Sequence, residues 1–308
     1  MRECSTGVRA CACFRQIIVQ VASLFSAKED GRNQWQFFTP EMNRRAMERL
    51  SIEHELRSAL KKEQFFLEYQ PQIELSTGKI IGAEALLRWR HPEIGLIPPS
   101  KFIHFAESTG EIVPIGEWVL RTACTQASQW QNEGMPPIVL AVNVSAVQLR
   151  QESFLRLVQA VLNDTGLAPK YLELETTETL LLTQNEKTAS QMLGLRELGL
   201  RMAIDDFGTG YSSFSYVRLF RFDRLKIDMS FVHALNVDPN DVDITAGIIG
   251  LGKTFKMDVI AEGVETKEQL ETLRSLGCDH IQGYYFSRPL GASAFAEMVW
   301  PHYASLPA

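Results

Sequence analysis

From Phe65 onward the chain alternates between two hydrophobic rhythms. Short apolar runs read as strands: FFLEYQPQI, GKIIGAEALLRW, IVLAVNVS, YLELETTE, RMAIDD, RLKIDM, DVIAEGVE and HIQGYYF. Between most of them lie longer stretches of helical character, such as IGEWVLRTACTQASQWQNEG, FLRLVQAVLNDTG, TASQMLGLRELG, DITAGIIGLGKTF and KEQLETLRSLG. Several of these end in Gly, as helix C-termini often do. Only ELSTG separates the first two strand runs, which predicts an antiparallel hairpin. After the hairpin the order is strand then helix, repeated. Eight strands in about 245 residues is the size of a β/α barrel, and a (β/α)8 TIM-like barrel is the predicted α/β fold. A doubly wound open sheet is the alternative. It fits less well, because no Gly-rich phosphate loop follows the first strands.

In a barrel, active-site groups sit at the C-terminal strand ends, and the strand runs end in such groups. Glu84 lies in GAEALLRW, Asn143 follows IVLAV, and Glu175 and Glu178 follow YLEL. Asp205 and Asp206 follow RMAI, Glu262 follows DVIA, and Gln282 follows HI. Lys226 and Asp228 in RLKID are two apart and are expected on one face of a strand. Any one of these alone reads as a surface acid or a satisfied core polar group. Their convergence is the signal.

Glu84, Glu175, Asp205, Asp206 and Glu262 in one barrel mouth would force several acids to stay protonated unless cations join them. The candidate ligands are carboxylate and amide oxygens, without His or Cys. Mg²⁺ or Mn²⁺ therefore fits better than Zn²⁺ or Cu²⁺. Two ions about 4 Å apart would use five acids naturally and suit in-line displacement at phosphorus. The Gly-rich FGTGYSS that follows the paired aspartates reads as a mobile, substrate-responsive loop rather than a plain turn.

Composition narrows the setting. The 308 residues are 45% hydrophobic and 22% charged, with net charge −6, which argues against an extended nucleic-acid surface. The five cysteines, Cys4, Cys11, Cys13, Cys124 and Cys278, show neither disulfide nor zinc spacing, so a reducing cytoplasm is the simplest location. No run is long enough to cross a membrane. Arg2, Arg9 and Arg15 precede IIVQVASLFSA, a loosely signal-like stretch that Gln20 and Ser23 interrupt; it reads as a poorly packed remnant or an artefactual start. Residues 27–45 are polar and turn-rich, and RAMERLSIEHELRSALKKEQ reads as a linker helix.

At the strand-end residues the chain resembles the EAL-domain family of bacterial cyclic di-GMP phosphodiesterases. The likeness runs from Tyr69 to Leu290 through EALLRW (84–89), NVS (143–145), ETTE (175–178), DDFGTGYSS (205–213), KID (226–228), AEGVE (261–265) and QGYYFSRPL (282–290). The resemblance implies a β/α barrel whose first strand is antiparallel. It also implies hydrolysis of cyclic di-GMP to linear pGpG with two Mg²⁺ or Mn²⁺ ions. By matching positions, Glu84, Asn143, Glu175 and Asp205 look like ligands of one metal, with Asp205 bridging. Asp206 and Glu262 would serve the second, Lys226 would hold and help activate the water, and Gln282 would orient it. Glu178 resembles the anchor of the Gly-rich loop. Gln70 and Pro289 match guanine-pocket positions, and Arg88 one near a phosphate. Family members often pair, so a homodimer is expected. Gln72 and Thr176 depart from the usual apolar residues without removing a catalytic group.

AKEDGRNQWQFF resembles the tail of a GGDEF cyclase domain, though the cyclase signature is absent. The domain reading is therefore residues 1–62 as that tail plus linker helix, and 63–308 as the barrel. Two other functions compete with phosphodiester hydrolysis: a degenerate barrel that binds cyclic di-GMP without cutting it, and an unrelated Mg²⁺ enzyme acting on an enolate with Lys226 as base.

Overall fold

The structure, a computed structural model, describes residues 51–178, 186–208, 214–235 and 239–304. The chain divides into two units, Met1–Lys62 and Glu63–Ala308. In the first, residues 51–59 are helical, within the segment read as a linker helix, and Ser51 Oγ donates to Glu55 Oε1 at 2.9 Å. The signal-like stretch and the segment resembling a GGDEF tail lie outside the described residues.

The second unit is a closed barrel. Its strands are β1 (Phe65–Glu74), β2 (Ile80–His91), β3 (Gly95–Ile97), β4 (Val139–Asn143), β5 (Leu172–Thr177), β6 (Arg201–Phe207), β7 (Arg224–Ile227), β8 (Asp258–Ala261) and β9 (His280–Ile281). Hydrogen bonding runs β1-β2-β4-β5-β6-β7-β8-β9 and back to β1, so eight strands form a ring and the open-sheet alternative is excluded. β1 is antiparallel to both neighbours. The remaining pairs around the ring are parallel. β3, which the sequence pattern does not reveal, adds to the outer end of β2 through Trp89↔Ile97. Three residues are too few to display a period.

The two-residue period of the strands sorts their side chains. In β5 the glutamates Glu173 and Glu175 face inward and Leu172 and Leu174 outward. In β7 Arg224 and Lys226 face inward and Leu225 and Ile227 outward. All eight are buried, so the apolar face seals against the helices while the polar face fills the barrel.

The helices are α1 (Ile103–Thr109), α2 (Ile112–Asn132), α3 (Ala146–Leu149), α4 (Phe154–Thr165), α5 (Glu186–Glu197), α6 (Phe214–Phe220), α7 (Met229–Ala234), α8 (Pro239–Phe255), α9 (Lys267–Ser275) and α10 (Ala292–Ala304). α2 buries Ile112, Ile115, Val119, Leu120, Ala123, Ala127 and Trp130, the stripe that helical spacing dictates. α9 begins in a reciprocal cap between Thr266 and Gln269, and α4 ends at Gly166 in the left-handed conformation. Among the described residues no helix is long and apolar enough to cross a membrane.

Gly283 follows Gln282 where the backbones after β8 and β9 touch. Val264 N donates to Gln282 O at 3.1 Å, and Tyr285 N donates to Val264 O at 2.9 Å. A Cβ on Gly283 would run into the Val264 main chain, whereas one on Gly166 meets open space. Gly166→Ala should therefore cost only left-handed strain, about 1–2 kcal/mol. Gly283→Ala should lower the thermal midpoint considerably more. Equal midpoints for the two variants would contradict this packing.

Candidate active site

The strand ends bring one lysine into a ring of acids. Lys226, 1% exposed, places Nζ 2.6 Å from Glu175 Oε2, 2.7 Å from Glu262 Oε1, 3.2 Å from Asp205 Oδ1 and 3.5 Å from Glu84 Oε2. β2, β5, β6 and β7 supply Glu84, Glu175, Asp205 and Lys226, and the residue after β8 supplies Glu262. Parallel register sets their common height, with Asn143 paired to Glu175 and Thr177 to Asp205.

Amides close the ring on the side of Glu84. Asn143 Nδ2 donates to Glu84 Oε1 at 2.6 Å, and Gln282 Nε2 donates to Glu84 Oε2 at 2.6 Å. Gln282 Nε2 also reaches Gln70 Oε1 at 3.1 Å, and Gln70 Nε2 donates to Ser287 O at 3.2 Å.

At the end of β6 the chain leaves regular pairing. The β6–β7 register shifts between Ile204 and Phe207, and Asp206 takes φ +54°. A short acid tolerates this left-handed conformation better than most residues do. Asp206 N then donates to Asp205 Oδ1 at 2.9 Å. Asp205, Asp206 and Glu262 can bring one carboxylate oxygen each within 4.8 Å of one another. Glu178 does not join the ring. Its Oε2 accepts the Gly208 N–H at 3.0 Å, where the Gly-rich loop begins. Residues 209–213 of that loop lie outside the described residues.

One expectation is corrected. Asp228 does not share a strand face with Lys226, because β7 ends at Ile227. Asp228 caps α7 instead, accepting the Ser230 N–H at 3.0 Å and the Ser230 hydroxyl. A carboxylate at that position satisfies a helix N–H that would otherwise lack a partner. Arg88 and Pro289 lie outside the ring. Arg88 Nε pairs with Glu68 Oε2 at 2.7 Å, and half-buried Pro289 precedes Leu290, whose backbone bridges to Tyr69.

Sequence reading missed a deeper polar group: Arg224 Nη1 donates to Glu173 Oε1 at 2.8 Å and to Gln72 Oε1 at 2.7 Å. The available signal was a polar residue two positions from a site residue on the same strand run.

The electrostatics follow from crowding. Burial pushes the Glu175 carboxyl well above its usual range, and Glu84, Asp205 and Glu173 add to that against the pull of Lys226. Burial, opposed by Lys226 but assisted by Asp205 and Glu84, pushes Glu262 up to about 8. Asp206 is pushed up to about 6 by burial, then by Asp205 and Asp228. Glu84 ends below its ordinary value, because Lys226, Gln282 and Asn143 outweigh its burial. Burial alone would lower Lys226, yet Asp205, Glu175, Glu262 and Glu84 hold it well above the ordinary lysine value. Lys226 is thus an ammonium here, a donor and not a base.

The donor set suits hard cations. Buried Glu175 Oε1 has no hydrogen-bond partner although it lies inside the ring. The three clustered carboxylates at Asp205, Asp206 and Glu262 offer only oxygen.

The family model described as EAL domain matches residues 53–289. The bifunctional diguanylate cyclase/cyclic di-GMP phosphodiesterase MucR of Pseudomonas aeruginosa is 42% identical over 278 residues, covering 90% of this chain and 41% of that protein. The cyclic di-GMP phosphodiesterase NbdA of the same organism is 42% identical over 277 residues, covering 90% and 35%. This chain thus spans well under half the length of either relative. Among solved structures, the PaMucR phosphodiesterase in complex with c-di-GMP has a TM-score of 0.77 at 41% identity, covering 80% of this chain and 99% of that one.

The raised acids give a signed pH dependence to the metal-free protein. Glu262 titrates at about 8 in the fold against an ordinary 4.5, so its favourable contribution is complete below 4.5 and lost as pH rises through about 8. Asp206 adds a smaller loss between 3.8 and about 6. In chelator, the thermal midpoint of the wild-type chain should fall relative to Glu262→Gln as pH rises from about 5 to about 8. A wild-type midpoint that rises relative to the variant over that window would contradict the arrangement.

Proposed function

The chain belongs to the EAL-domain family, and on that premise we propose that it hydrolyses one phosphodiester bond of cyclic di-GMP to give linear 5′-pGpG. The observation that carries this reading is the convergence of Glu84, Glu175, Asp205 and Glu262 on Lys226 at the barrel mouth. The relatives named for cyclic di-GMP chemistry, and the similar structure holding c-di-GMP, support the choice of substrate.

Glu84, Asn143, Glu175 and Asp205 would hold one Mg²⁺ or Mn²⁺, and Asp205, Asp206 and Glu262 a second. Bound divalent cations would offset the acids, lower the pKa of water and polarise the phosphate. The chain's own groups do the positioning. Lys226 donates to the attacking water and holds its oxygen toward phosphorus. Gln282 donates from the other side. Water adds in line as the bond from phosphorus to the 3′ oxygen breaks, one proton passes overall from the water to that oxygen, and the diester becomes a 5′ phosphate monoester and a 3′ hydroxyl. Glu178 keeps Gly208, and with it the root of the loop, in register with Asp205 and Asp206. Gln70 and Pro289 would border the guanines. Arg88, whose Nε pairs with Glu68 and whose Nη1 donates to Leu87 O, would meet a phosphate with Nη2. A homodimer in a reducing cytoplasm completes the reading, in keeping with free, buried Cys124 and Cys278.

Incubation with cyclic di-GMP and Mg²⁺ or Mn²⁺, with products resolved by chromatography, should give pGpG. Ca²⁺ should bind and inhibit, because its larger, looser coordination misplaces water and phosphate. Binding of cyclic di-GMP without cleavage, or full turnover in excess chelator, would sink the proposal.

Lys226→Ala should reduce kcat by at least a factor on the order of 10² while cyclic di-GMP still binds. A near-normal kcat would remove Lys226 from the chemistry.

A further inference from the structure

Beneath the barrel mouth lies a polar layer that the proposed chemistry does not use. Gln72, Glu173 and Arg224 stand two residues from Gln70, Glu175 and Lys226 on β1, β5 and β7, so each shares its partner's face about 7 Å away along the strand. Their exposures are 0%, 0% and 1%. Room for the Gln72 amide comes from its register partner on β2, Gly82, where a Cβ would stand 2.8 Å from Gln72 Oε1.

The hydrogen bonds of this layer have a forced direction. Arg224 carries only donors, and Nη1 gives one to Glu173 and one to Gln72 Oε1. Gln72 must therefore turn its oxygen to Arg224 and its NH₂ to Gln282, whose Oε1 accepts at 3.2 Å. Gln282 must in turn face its oxygen to Gln72, which aims its own NH₂ at Glu84 Oε2 and Gln70 Oε1. A glutamine without such neighbours could flip, since its oxygen and NH₂ have nearly the same shape.

We propose that Gln72, oriented by Arg224, is a positioning residue that fixes the Gln282 amide as a donor toward Glu84, its second N–H, held here by Gln70 Oε1, being the one that turns to the reacting water. The kinetic part of this inference rests on the phosphodiesterase reading, and the orientation itself does not.

Gln72→Glu is the informative change. It keeps the shape and the Arg224 pair but offers Gln282 only an acceptor, so the Gln282 amide reverses and sets its oxygen against Glu84. Loss of hydrogen bonds to charged groups then predicts a kcat at least about tenfold lower, with KM within about twofold. In a Gln282→Ala background the same change should alter kcat by less than about twofold, because the two residues act as one unit. The second readout needs neither metal nor turnover. With glutamine labelled in ¹⁵N, the Gln282 NH₂ pair is identified by its loss in Gln282→Ala. It should exchange slowly in the wild-type chain and shift, with faster exchange, in Gln72→Glu.

If circular dichroism shows Gln72→Glu unfolded, Gln72→Met serves, and should likewise speed the exchange of Gln282. Losses of kcat that multiply in the double variant, or a Gln282 signal unmoved by the Gln72 changes, overturn the proposal. A wild-type chain that does not cleave cyclic di-GMP defeats the functional reading, and the labelled-amide measurement still decides the orientation.

Discussion

The mouth of this barrel depends on one buried ammonium set among mutually repelling carboxylates. Four carboxylates lie within ion-pair distance of Lys226 Nζ, and Asp206 stands beside them. Desolvating acids together is costly, and a single lysine cannot offset all of them. The cost appears as a Glu262 carboxyl at about 8 and a Glu175 carboxyl driven well upward. The same crowding keeps Lys226 protonated and so defines it as a donor. A site of this kind persists because the backbone imposes it: hydrogen-bonded strand ends set the acids at one height and leave them no independent retreat.

The barrel supports that arrangement in layers. Outward leucines and isoleucines supply the apolar burial, which frees the inward face for polar groups. Below the ring, Arg224 pairs with Glu173 and orients Gln72. His280, in the same layer, is pushed down to about 4 by burial and by Arg224, and stays neutral there. The floor of the site is thus a second compensated charge system whose amides connect upward to Glu84. Left-handed backbone at Asp206 belongs to the same economy, with local strain accepted where two adjacent acids must diverge.

Much of this was legible in the sequence. The strand-helix rhythm after Phe65 gave the barrel, and the short ELSTG connection gave the antiparallel first hairpin. Polar residues closing the apolar runs marked Glu84, Asn143, Glu175, Asp205, Lys226, Glu262 and Gln282. Three things were not legible. β3 was too short to show a period. Asp228 looked like a strand residue because a spacing of two does not say where a strand stops. Gln72, Glu173 and Arg224 looked unrelated, since 101 positions separate Gln72 from Glu173 and another 51 separate Glu173 from Arg224.

By itself the sequence determined which residues within a strand share a face, because alternation is a local property of the backbone, although not where a strand such as β7 stops. It also determined the donor type of the cluster, carboxylate and amide oxygens without thiol or imidazole. Only the tertiary structure decided which inward groups meet. Closing the ring sets the stagger between strands, and that stagger brings Lys226 to four acids and Arg224 to Gln72. Hydrogen-bond direction was settled there too: a glutamine amide has no preferred orientation until a donor-only neighbour such as Arg224 is packed against it.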